Sequence, residues 1–361
     1  MPMDARLEPL LERTPDWLSG EGPESEVVVA SRVRLARNLS ATPFPLQMEE
    51  QKAREMLSEC KKHLKAIIAD GVVLEPAELG PADAEFLIER SLASRDLFEA
   101  QRPALVFFRE DGRNGLMVNE EDHFRGQGFA SGLDLEIAYK HCQEIIHPLE
   151  TSFPVATHPK FGYLTACPTN VGSGMRASLL LHLPALARKK APLQHILHTA
   201  QKSGLTVRGV HGEGSRDLGH LYQISNQKTL GGDSSMQLKS VEEFGGQVVA
   251  YENGTREEIF ETEPSRRGLL RDVEQAYTRL QESTRITTSQ ALGALSILRL
   301  ASLGGLLGQS GIDFTAEQLL IQSFSLQPGH LQARIGAEMD PVHRDSYRAT
   351  LLRESLGIAG P

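Results

Sequence analysis

The sequence predicts an α+β fold, in which an antiparallel sheet flanked by helices is followed by an all-helical C-terminal domain. Short segments rich in β-branched and aromatic residues alternate with helical segments, without the regular βα period of a parallel sheet. After Pro264 the pattern becomes helical almost to the C-terminus. We therefore expect an N-terminal arm at 1–24, a mixed α+β domain at 25–258 and a helical C-terminal domain at 259–361.

Each element is predicted from apolar periodicity and from the breakers that bound it. The apolar stripe after residue 47, for example, is helical in period and stops before Gly71. Helices are expected at 47–69, 82–93, 132–148 and 191–203. Strands are expected at 26–31, 104–109, 114–119, 161–166, 175–183, 204–209 and 220–226. Breaks in the C-terminal helices are expected at Gly304-Gly305, Gly311 and Pro328-Gly329.

Composition excludes several classes of protein. A chain of 361 residues that is 40% apolar and 24% charged is typical of a globular protein of about two domains. Its net charge of -9 argues against non-specific nucleic-acid binding. The sequence has no run of ~18 apolar residues and no signal peptide, so we expect a cytoplasmic protein. Cys60, Cys142 and Cys167 fit neither a disulfide framework nor a zinc site, and five histidines lack ligand spacing (His158, His182, His195, His198 and His220).

Three consecutive acids, Glu120, Glu121 and Asp122, precede Arg125 at the end of an apolar stretch. Adjacent carboxylates repel one another and are poor core material. We therefore expect them to hold a cation. On this run alone, that cation is either a metal ion or a positively charged substrate.

Arginines recur in motifs suited to anions. Arg32 and Arg34 alternate along a predicted strand and so share one face, although alone they fit a solvated strand edge equally well. Arg176 follows a glycine-rich turn whose backbone N–H groups can approach an anion. Arg208 precedes a second glycine-rich loop, which contains Glu213. The turn before Arg176 lacks the third glycine of a dinucleotide-binding fingerprint and the Gly-Lys of a P-loop.

Together these motifs fit phosphoryl transfer to a guanidinium. The reaction mainly requires clamped phosphates, neutralised charge and an aligned acceptor. Two carboxylates, from Glu121 and Glu213, suit a planar guanidinium better than a hydroxyl acceptor. A guanidinium has a pKa of ~13, so prior deprotonation at pH 7 costs about 8 kcal/mol. Carboxylates that accept the proton during bond formation avoid that cost.

The motifs at 31–34 (Ser-Arg-Val-Arg), 119–123 (Asn-Glu-Glu-Asp-His) and 167–176 (Cys-Pro-Thr-Asn-x-Gly-x-Gly-x-Arg) resemble those of the guanidino (phosphagen) kinase family. The resemblance covers about residues 25 to 255 and implies the family's antiparallel sheet flanked by helices. It implies ATP and Mg²⁺ as cofactors, with Mg²⁺ carried by ATP and with Glu120 or Asp122 as open candidates for contact through water. It implies phosphate binding by Arg32, Arg34, Arg125, Arg176 and Arg208, catalysis by Glu121 and Glu213, and a place near the acceptor for Cys167.

Two differences from the creatine- and arginine-type kinases narrow the resemblance to one branch of the family. Only thirty residues precede the Ser-Arg-Val-Arg motif, where creatine- and arginine-type kinases carry a long helical domain. Leu180 stands where those kinases commonly have a histidine that stacks on adenine. The C-terminal helical extension is similar to that of the bacterial protein arginine kinases of the McsB type, which phosphorylate arginine side chains in proteins and mark them for a Clp protease.

The extension contains Arg-Asp-x-x-Arg-Ala on a predicted helix after Asp340-Pro341. Two arginines at i,i+4 beside an acid fit a salt-bridged helix face. The motif also resembles the phosphoarginine-sensing motif of protein arginine kinases, and we expect an allosteric or docking site for phosphoarginine there. The residues of this expected site are Arg344, Asp345, Arg348 and Ala349.

The expected activity is therefore an ATP-dependent protein arginine kinase. A kinase of free arginine or another small guanidino compound, and a non-catalytic adaptor that binds phosphoarginine, remain alternatives. The expected partners are proteins with exposed arginine, a Clp ATPase or protease and an activator protein. A homodimer through the C-terminal helices stays open.

Overall fold

The computed structural model describes residues 3–67, 71–209, 218–231, 233–308 and 311–359. Its strands are β1 (Val28–Arg37), β2 (Gly71–Leu74), β3 (Leu105–Arg109), β4 (Asn114–Val118), β5 (Phe124–Ser131), β6 (Thr157–His158), β7 (Gly162–Tyr163), β8 (Met175–His182), β9 (Leu205–Gly209) and β10 (Leu221–Asn226). Its first helices are α1 (Glu8–Glu12), α2 (Glu50–Ile67), α3 (Pro81–Glu89), α4 (Arg95–Glu99), α5 (Leu135–Ser152), α6 (Pro184–Lys189) and α7 (Ala191–Lys202). The remaining helices are α8 (Ser234–Glu261), α9 (Glu263–Glu282), α10 (Thr288–Leu303), α11 (Ala316–Ser325), α12 (Pro328–Ile335) and α13 (Pro341–Leu356).

The centre of the fold is an eight-stranded sheet in the order β2-β3-β4-β5-β1-β8-β10-β9. Every pairing between its neighbouring strands is antiparallel. β1 lies in the interior, between β5 and β8, although these strands are distant from it in sequence. The predicted α+β class, with an antiparallel sheet flanked by helices, is confirmed.

One face of this sheet packs against α5 and α8 through a large apolar core. Glycines let these helices come close. A Cβ on Gly128 of β5 would lie 2.2 Å from the carbonyl oxygen of Ala138 in α5. A Cβ on Gly245 of α8 would lie 2.3 Å from a methyl carbon of Leu179 in β8. The opposite face carries polar side chains near its centre, whereas its β3–β4 part packs Val106, Phe108 and Met117 into a second apolar cluster.

Helices α9, α10, α11 and α13 share a separate apolar core, which includes Leu269, Leu295 and Leu352. Ile259 near the end of α8 and Ala185 in α6 also belong to it. The predicted boundary at 258 and 259 falls in the last turn of α8, one turn before α9 begins. No helix in the described ranges is long and apolar enough to cross a lipid bilayer.

The N-terminal arm expected at 1–24 is closely packed. Leu7 and Leu10 are fully buried in a cluster with Phe86 and Ala333. The Trp17 ring packs on Phe129, with 6.0 Å between the ring centroids, and is 4% exposed. The arm therefore connects the sheet with α12 instead of extending into solvent.

The predicted elements differ from the observed ones mainly where glycine interrupts a pattern. β5 and the long helix α8 are not among the predictions, and both contain glycines at which a neighbouring element approaches. The strand expected at 161–166 is reduced to Gly162–Tyr163. The strand expected at 26–31 extends to Arg37, so Arg32 and Arg34 lie within β1.

Candidate functional site

The arginines singled out in the sequence lie on the sheet face opposite α5 and α8. Arg34 on β1 pairs directly with Arg176 on β8 and with Gln127 on β5. Because side chains at i and i+2 share a face, Arg32 and Arg125 lie on the same side as these two. Arg208 on β9 pairs with Gln223, which continues the same face through Leu180 and Ala30. The structure thus brings all five predicted phosphate ligands to one face.

Charge on this face is compensated only in part, because Arg125 pairs with Glu120. Within the described residues, no ion pair involves Arg32, Arg34 or Arg176. The Nε atoms of Arg34 and Arg176 are buried without a hydrogen-bond partner in that part of the chain. Burial, followed by the like charges of Arg125 and Arg176, lowers the pKa of Arg32 to about 10. Burial and the neighbouring arginines also lower the pKa of Arg34 well below its usual range. Such a field favours an anion with several charges.

The acidic run forms the turn between β4 and β5. Asn119 begins it with φ of +60°, a conformation that asparagine tolerates better than most residues, and its N–H donates to the His123 carbonyl at 3.0 Å. His123 is buried and accepts from the Leu39 N–H through Nδ1 at 3.2 Å, so its ring proton is on Nε2. Burial lowers the pKa of His123 to about 4, and the ring is therefore neutral near pH 7.

Two of the three acids are held by the protein itself. Both oxygens of Glu120 accept from Arg125 Nη1 at 2.5 Å, and Oε1 also accepts from Ser94 Oγ at 2.5 Å. Burial raises the pKa of Glu120, but Arg125 and these hydrogen bonds outweigh it and lower the value. Asp122 Oδ1 accepts from Asn38 Nδ2 at 2.5 Å and from the Ala166 N–H at 2.7 Å. These hydrogen bonds give both carboxylates a structural role in the turn.

Glu121 is the acid that remains available. It is half-buried, and burial followed by the charge of Asp122 raises its pKa. A hydrogen bond from Cys167 opposes part of this shift, so the two side chains are in contact. Cys167 is partly exposed, and its Sγ lies 3.0 Å from Thr169 Oγ1. Glu121 and Cys167 thus meet near Arg125, in the arrangement expected from the resemblance.

The turn that carries Cys167 is rigidly held. Thr229 Oγ1 donates to the carbonyls of Thr169 at 2.8 Å and Val171 at 2.7 Å. Gly172 has φ of +118°, and a Cβ there would lie 2.2 Å from the Thr229 carbonyl oxygen. The glycine is therefore required for close approach of two backbones, and this approach fixes Cys167 relative to the sheet.

A cavity of about 550 Å³ opens beside Arg32. Its floor is the sheet, with Phe129, Leu180 and Gln223. Other walls come from Trp17, from α3 and, in the C-terminal region, from Thr288, Phe324, Gln327 and Pro328. It is thus continuous with the arginine face. Its lining combines aromatic, aliphatic, amide and hydroxyl groups with the charged side chains of Arg32, Arg95, Glu85 and Glu89. Sequence reasoning did not identify Phe129 or Phe324 as part of a site, since the first lies in the unpredicted β5.

Glu213, the second expected catalytic carboxylate, lies outside the described residues. The described chain ends at Gly209, one residue after Arg208, and resumes at Leu218. No group of three His, Cys, Asp or Glu side chains within the described ranges is arranged to hold a metal ion.

The motif expected to bind phosphoarginine lies on α13, far along the chain from the acidic turn. Arg348 is 1% exposed and donates to the carbonyls of Leu326 at 3.0 Å and Ile286 at 2.9 Å. Its Nη1 also pairs with Asp345 Oδ1 at 2.5 Å. Arg348 thus joins three segments of the C-terminal region, whereas Arg344 is half-buried on the same helix. Binding of phosphoarginine by this motif stays a prediction.

Two family models match the chain. Residues 50–255 match the C-terminal catalytic domain of the ATP:guanido phosphotransferases. Residues 266–360 match the C-terminal domain of the protein-arginine kinase McsB.

Curated relatives match nearly the whole chain. A protein-arginine kinase of Pelotomaculum thermopropionicum is 35% identical over 347 residues, which are 94% of this chain and 95% of that protein. A protein-arginine kinase of Bacillus cereus is 37% identical over 95% of this chain and 96% of its own length.

Solved structures share the fold. The duplicated taurocyamine kinase of Schistosoma mansoni, with bound transition state analog components, matches with a TM-score of 0.58 at 27% identity. That match covers 67% of this chain and 36% of the duplicated kinase. A lombricine kinase matches with a TM-score of 0.55 over 67% of this chain and 71% of its own, at 19% identity.

Proposed function

The chain belongs to the protein-arginine kinases of the ATP:guanido phosphotransferase family, and from this premise we propose that it transfers the γ-phosphoryl group of ATP to arginine side chains of proteins. The observation that carries the proposal is the arginine face of the sheet, whose positive charge is compensated only in part. Buried guanidinium nitrogens without partners, at Arg34 and Arg176, call for an anion that brings its own oxygens. A triphosphate supplies them.

ATP fits this face and the adjoining cavity. We propose that Arg32, Arg34, Arg125, Arg176 and Arg208 bind the phosphates. Each charge-assisted hydrogen bond contributes roughly 1.5–3 kcal/mol, so a few of them dominate the affinity. The base would enter the cavity beside Arg32, between Phe129 and the side chains of α11. Leu180, which replaces the expected stacking histidine, belongs to the floor of this cavity.

Mg²⁺ would arrive with ATP and neutralise charge on its phosphates. Glu120 and Asp122 already accept hydrogen bonds from the protein. Their role is better described as positioning: Glu120 holds Arg125 towards the sheet face, and Asp122 holds the turn that presents Glu121.

The acceptor guanidinium would lie against Glu121, with Glu213 as its second carboxylate and Cys167 beside it. The half-buried Glu121 carboxylate can orient the planar group by charge-assisted hydrogen bonds. As a guanidinium nitrogen bonds to the γ-phosphorus, the bond from that phosphorus to the bridging oxygen breaks and ADP leaves. The proton released from the nitrogen passes to a carboxylate, so no free neutral guanidine is required beforehand.

We propose further that the acceptor belongs to a protein and that the product is a degradation mark for a Clp protease. A Clp ATPase and an activator protein would then be partners, and the C-terminal motif with Arg344 would bind phosphoarginine. The sequence similarity to named protein-arginine kinases over nearly the full length supports a protein substrate.

Labelled ATP tests the proposal. The protein is incubated with ATP and Mg²⁺ and with either an unfolded protein or free arginine, and the label is examined for lability in acid. Acid-labile label on the protein is expected, because N–P bonds hydrolyse in acid. Label on free arginine alone would support the small-guanidine kinase instead. If no acceptor is labelled while phosphoarginine still binds, the chain is an adaptor.

A further inference from the structure

The cavity beside Arg32 has one wall that the C-terminal region supplies. Trp17 lies between Phe129 and Phe324, with 6.0 and 5.4 Å between the ring centroids, so the N-terminal arm and α11 together form an aromatic side of the cavity. Gln327, in the short connection between α11 and α12, contributes a side-chain amide to the same lining. Part of the cavity is therefore built by residues outside the domain that carries the sheet.

The side-chain amide of Gln327 is held in one orientation. Gln327 is 5% exposed, and its Nε2 donates to the Ser323 carbonyl at 3.0 Å. Ser323 borders a different, smaller cavity between α10, α11 and the sheet, so the N–H side of the amide is turned away from the cavity beside Arg32. A flipped amide would place two acceptor oxygens against each other, because a carbonyl cannot donate.

The oxygen of the same amide is available to a ligand. Among the described residues no group donates to Gln327 Oε1, and this atom is not one of the buried atoms that lack a partner, so it borders open space. Because Gln327 lines the cavity beside Arg32, that space is the cavity. A bond to Ser323 alone would hold the end of α11, but it uses only the nitrogen and leaves an acceptor that cannot turn.

Acceptor oxygens are concentrated around Gln327 in the lining. Both carboxylate oxygens of Glu89 accept from backbone N–H groups of α12, at 2.7 and 2.9 Å, two and three residues beyond Gln327. Glu85, one turn earlier on α3, also lines the cavity, and the charge of Arg95 in this lining is paired with it at 3.1 Å. The part of a ligand that faces Gln327 should therefore be a hydrogen-bond donor.

Purine bases differ in the group that they would present to such an acceptor. Adenine has an amino group at its 6-position, which donates, whereas guanine has a carbonyl oxygen there, which only accepts. We propose that Gln327 accepts a hydrogen bond from the 6-amino group of adenine and thereby makes the site selective for ATP over GTP. The inference rests on the proposed function, in which the base enters this cavity. The C-terminal region then determines which nucleotide the catalytic domain uses.

The first test changes the nucleotide and leaves the protein intact. Calorimetry of the wild type with Mg²⁺ compares ATP, GTP and purine riboside triphosphate, which has hydrogen in place of the amino group. Purine riboside triphosphate should bind about 3- to 10-fold more weakly than ATP, because one hydrogen bond is lost. GTP should bind about 10- to 100-fold more weakly, because its oxygen would face an acceptor that cannot turn. Equal affinity for ATP and purine riboside triphosphate would overturn the proposal.

The second test removes the acceptor from the protein. Gln327→Met should lower the affinity for ATP about 3- to 10-fold and leave that for purine riboside triphosphate unchanged, since the two changes break one bond and their effects should not multiply. Gln322→Met is the matched control, because Gln322 on α11 lines a separate cavity of about 210 Å³ and should keep the wild-type preference. An equal loss of affinity for both nucleotides in Gln327→Met would indicate general damage to the cavity and would overturn the proposal.

Failure of this inference differs from failure of the proposed function. Binding is measured without an acceptor, so the role of Gln327 is tested even if Gln327→Met folds poorly or the acceptor differs from the one proposed. If the wild type binds ATP but phosphorylates no arginine in any acceptor, the proposed function fails. If the wild type phosphorylates arginine and uses ATP and purine riboside triphosphate with equal kcat/KM, only the role of Gln327 is overturned.

Discussion

Arg34 in the sheet and Arg348 in α13 are both withdrawn from solvent, but in opposite ways. Arg348 is almost fully buried and donates to two carbonyls and a carboxylate. Arg34 is half-buried, its buried Nε has no partner in the described chain, and its neighbours are other arginines. An arginine whose buried N–H donors find acceptors within the protein, here called saturated, joins segments of the fold. An arginine that lacks acceptors and lies among like charges, here called unsaturated, indicates a ligand that supplies the missing acceptors. The same distinction separates Glu120, which is saturated, from Glu121, which is available.

The largest expected effect tests the distinction between the two acids. In Glu121→Ala, kcat for arginine phosphorylation should fall about 10²–10⁴-fold, because the acceptor loses a carboxylate that orients it and receives its proton. ATP affinity, measured by calorimetry, should be retained. Glu110→Ala, at the exposed opposite end of the β3–β4–β5 meander, is the matched control and should be fully active. Normal turnover in Glu121→Ala would refute its assigned role, and Glu213→Ala should behave as Glu121→Ala does.

The same residue predicts the acid limb of the pH profile. Burial, with Asp122 as the second cause, raises the pKa of Glu121 above its usual range. The carboxylate must be ionised to hold a guanidinium, so kcat/KM should be lost as pH falls through a pKa above 4.5. ADP release provides the measurement, since the product itself is unstable in acid. In Glu121→Ala this limb should disappear from the residual activity.

Replacement of Arg348, the saturated arginine, should lower the stability of the fold more than it lowers the catalytic rate. Arg348→Met leaves the carbonyls of Leu326 and Ile286 buried without donors, so we expect the free energy of unfolding to fall by about 2–5 kcal/mol. Arg353 on the same helix makes a hydrogen bond to the Ser283 carbonyl at 2.7 Å and is half-buried, so Arg353→Met should have a smaller effect. Urea denaturation measures both. Equal stability of the wild type and Arg348→Met would remove the basis for calling Arg348 structural.

Replacement of Arg34, the unsaturated arginine, should weaken ATP binding without lowering the stability of the fold. In Arg34→Met, ATP affinity should weaken about 10- to 100-fold, which corresponds to the loss of about one charge-assisted hydrogen bond. Without ATP the free energy of unfolding should be unchanged or higher, because repulsion among the arginines is relieved. The rise in unfolding temperature on adding ATP should shrink accordingly. Arg54→Met, on the exposed face of α2, is the control and should change neither ATP affinity nor stability. If Arg34→Met is destabilised and keeps normal ATP affinity, Arg34 is a structural residue and the contrast with Arg348 is wrong.

The two regions also differ in how far the sequence predicts them. Alternation in a strand predicts that Arg32 and Arg34 share a face, and β1 realises it. The neighbouring strand β5 is harder to predict from the sequence. Its glycines at 126 and 128 are typical of a loop, but in the structure they allow α5 to approach the strand closely. Gly245 obscures α8 for the same reason. The burial of Arg348 depends on backbone carbonyls from distant segments, which no side-chain pattern encodes.

The smallest expected effect concerns the other arginine of the α13 motif. Arg344→Ala should leave the free energy of unfolding and the basal kcat unchanged, since Arg344 is half-buried and lacks the three bonds that hold Arg348. If the motif binds phosphoarginine, the variant should lose a response to added phosphoarginine that corresponds to a coupling free energy of about 1–3 kcal/mol. Titration of wild type and Arg344→Ala with phosphoarginine, followed by kcat, makes the comparison. An unchanged response would mean that α13 is only a salt-bridged helix, and Arg344 would then join Arg348 on the structural side.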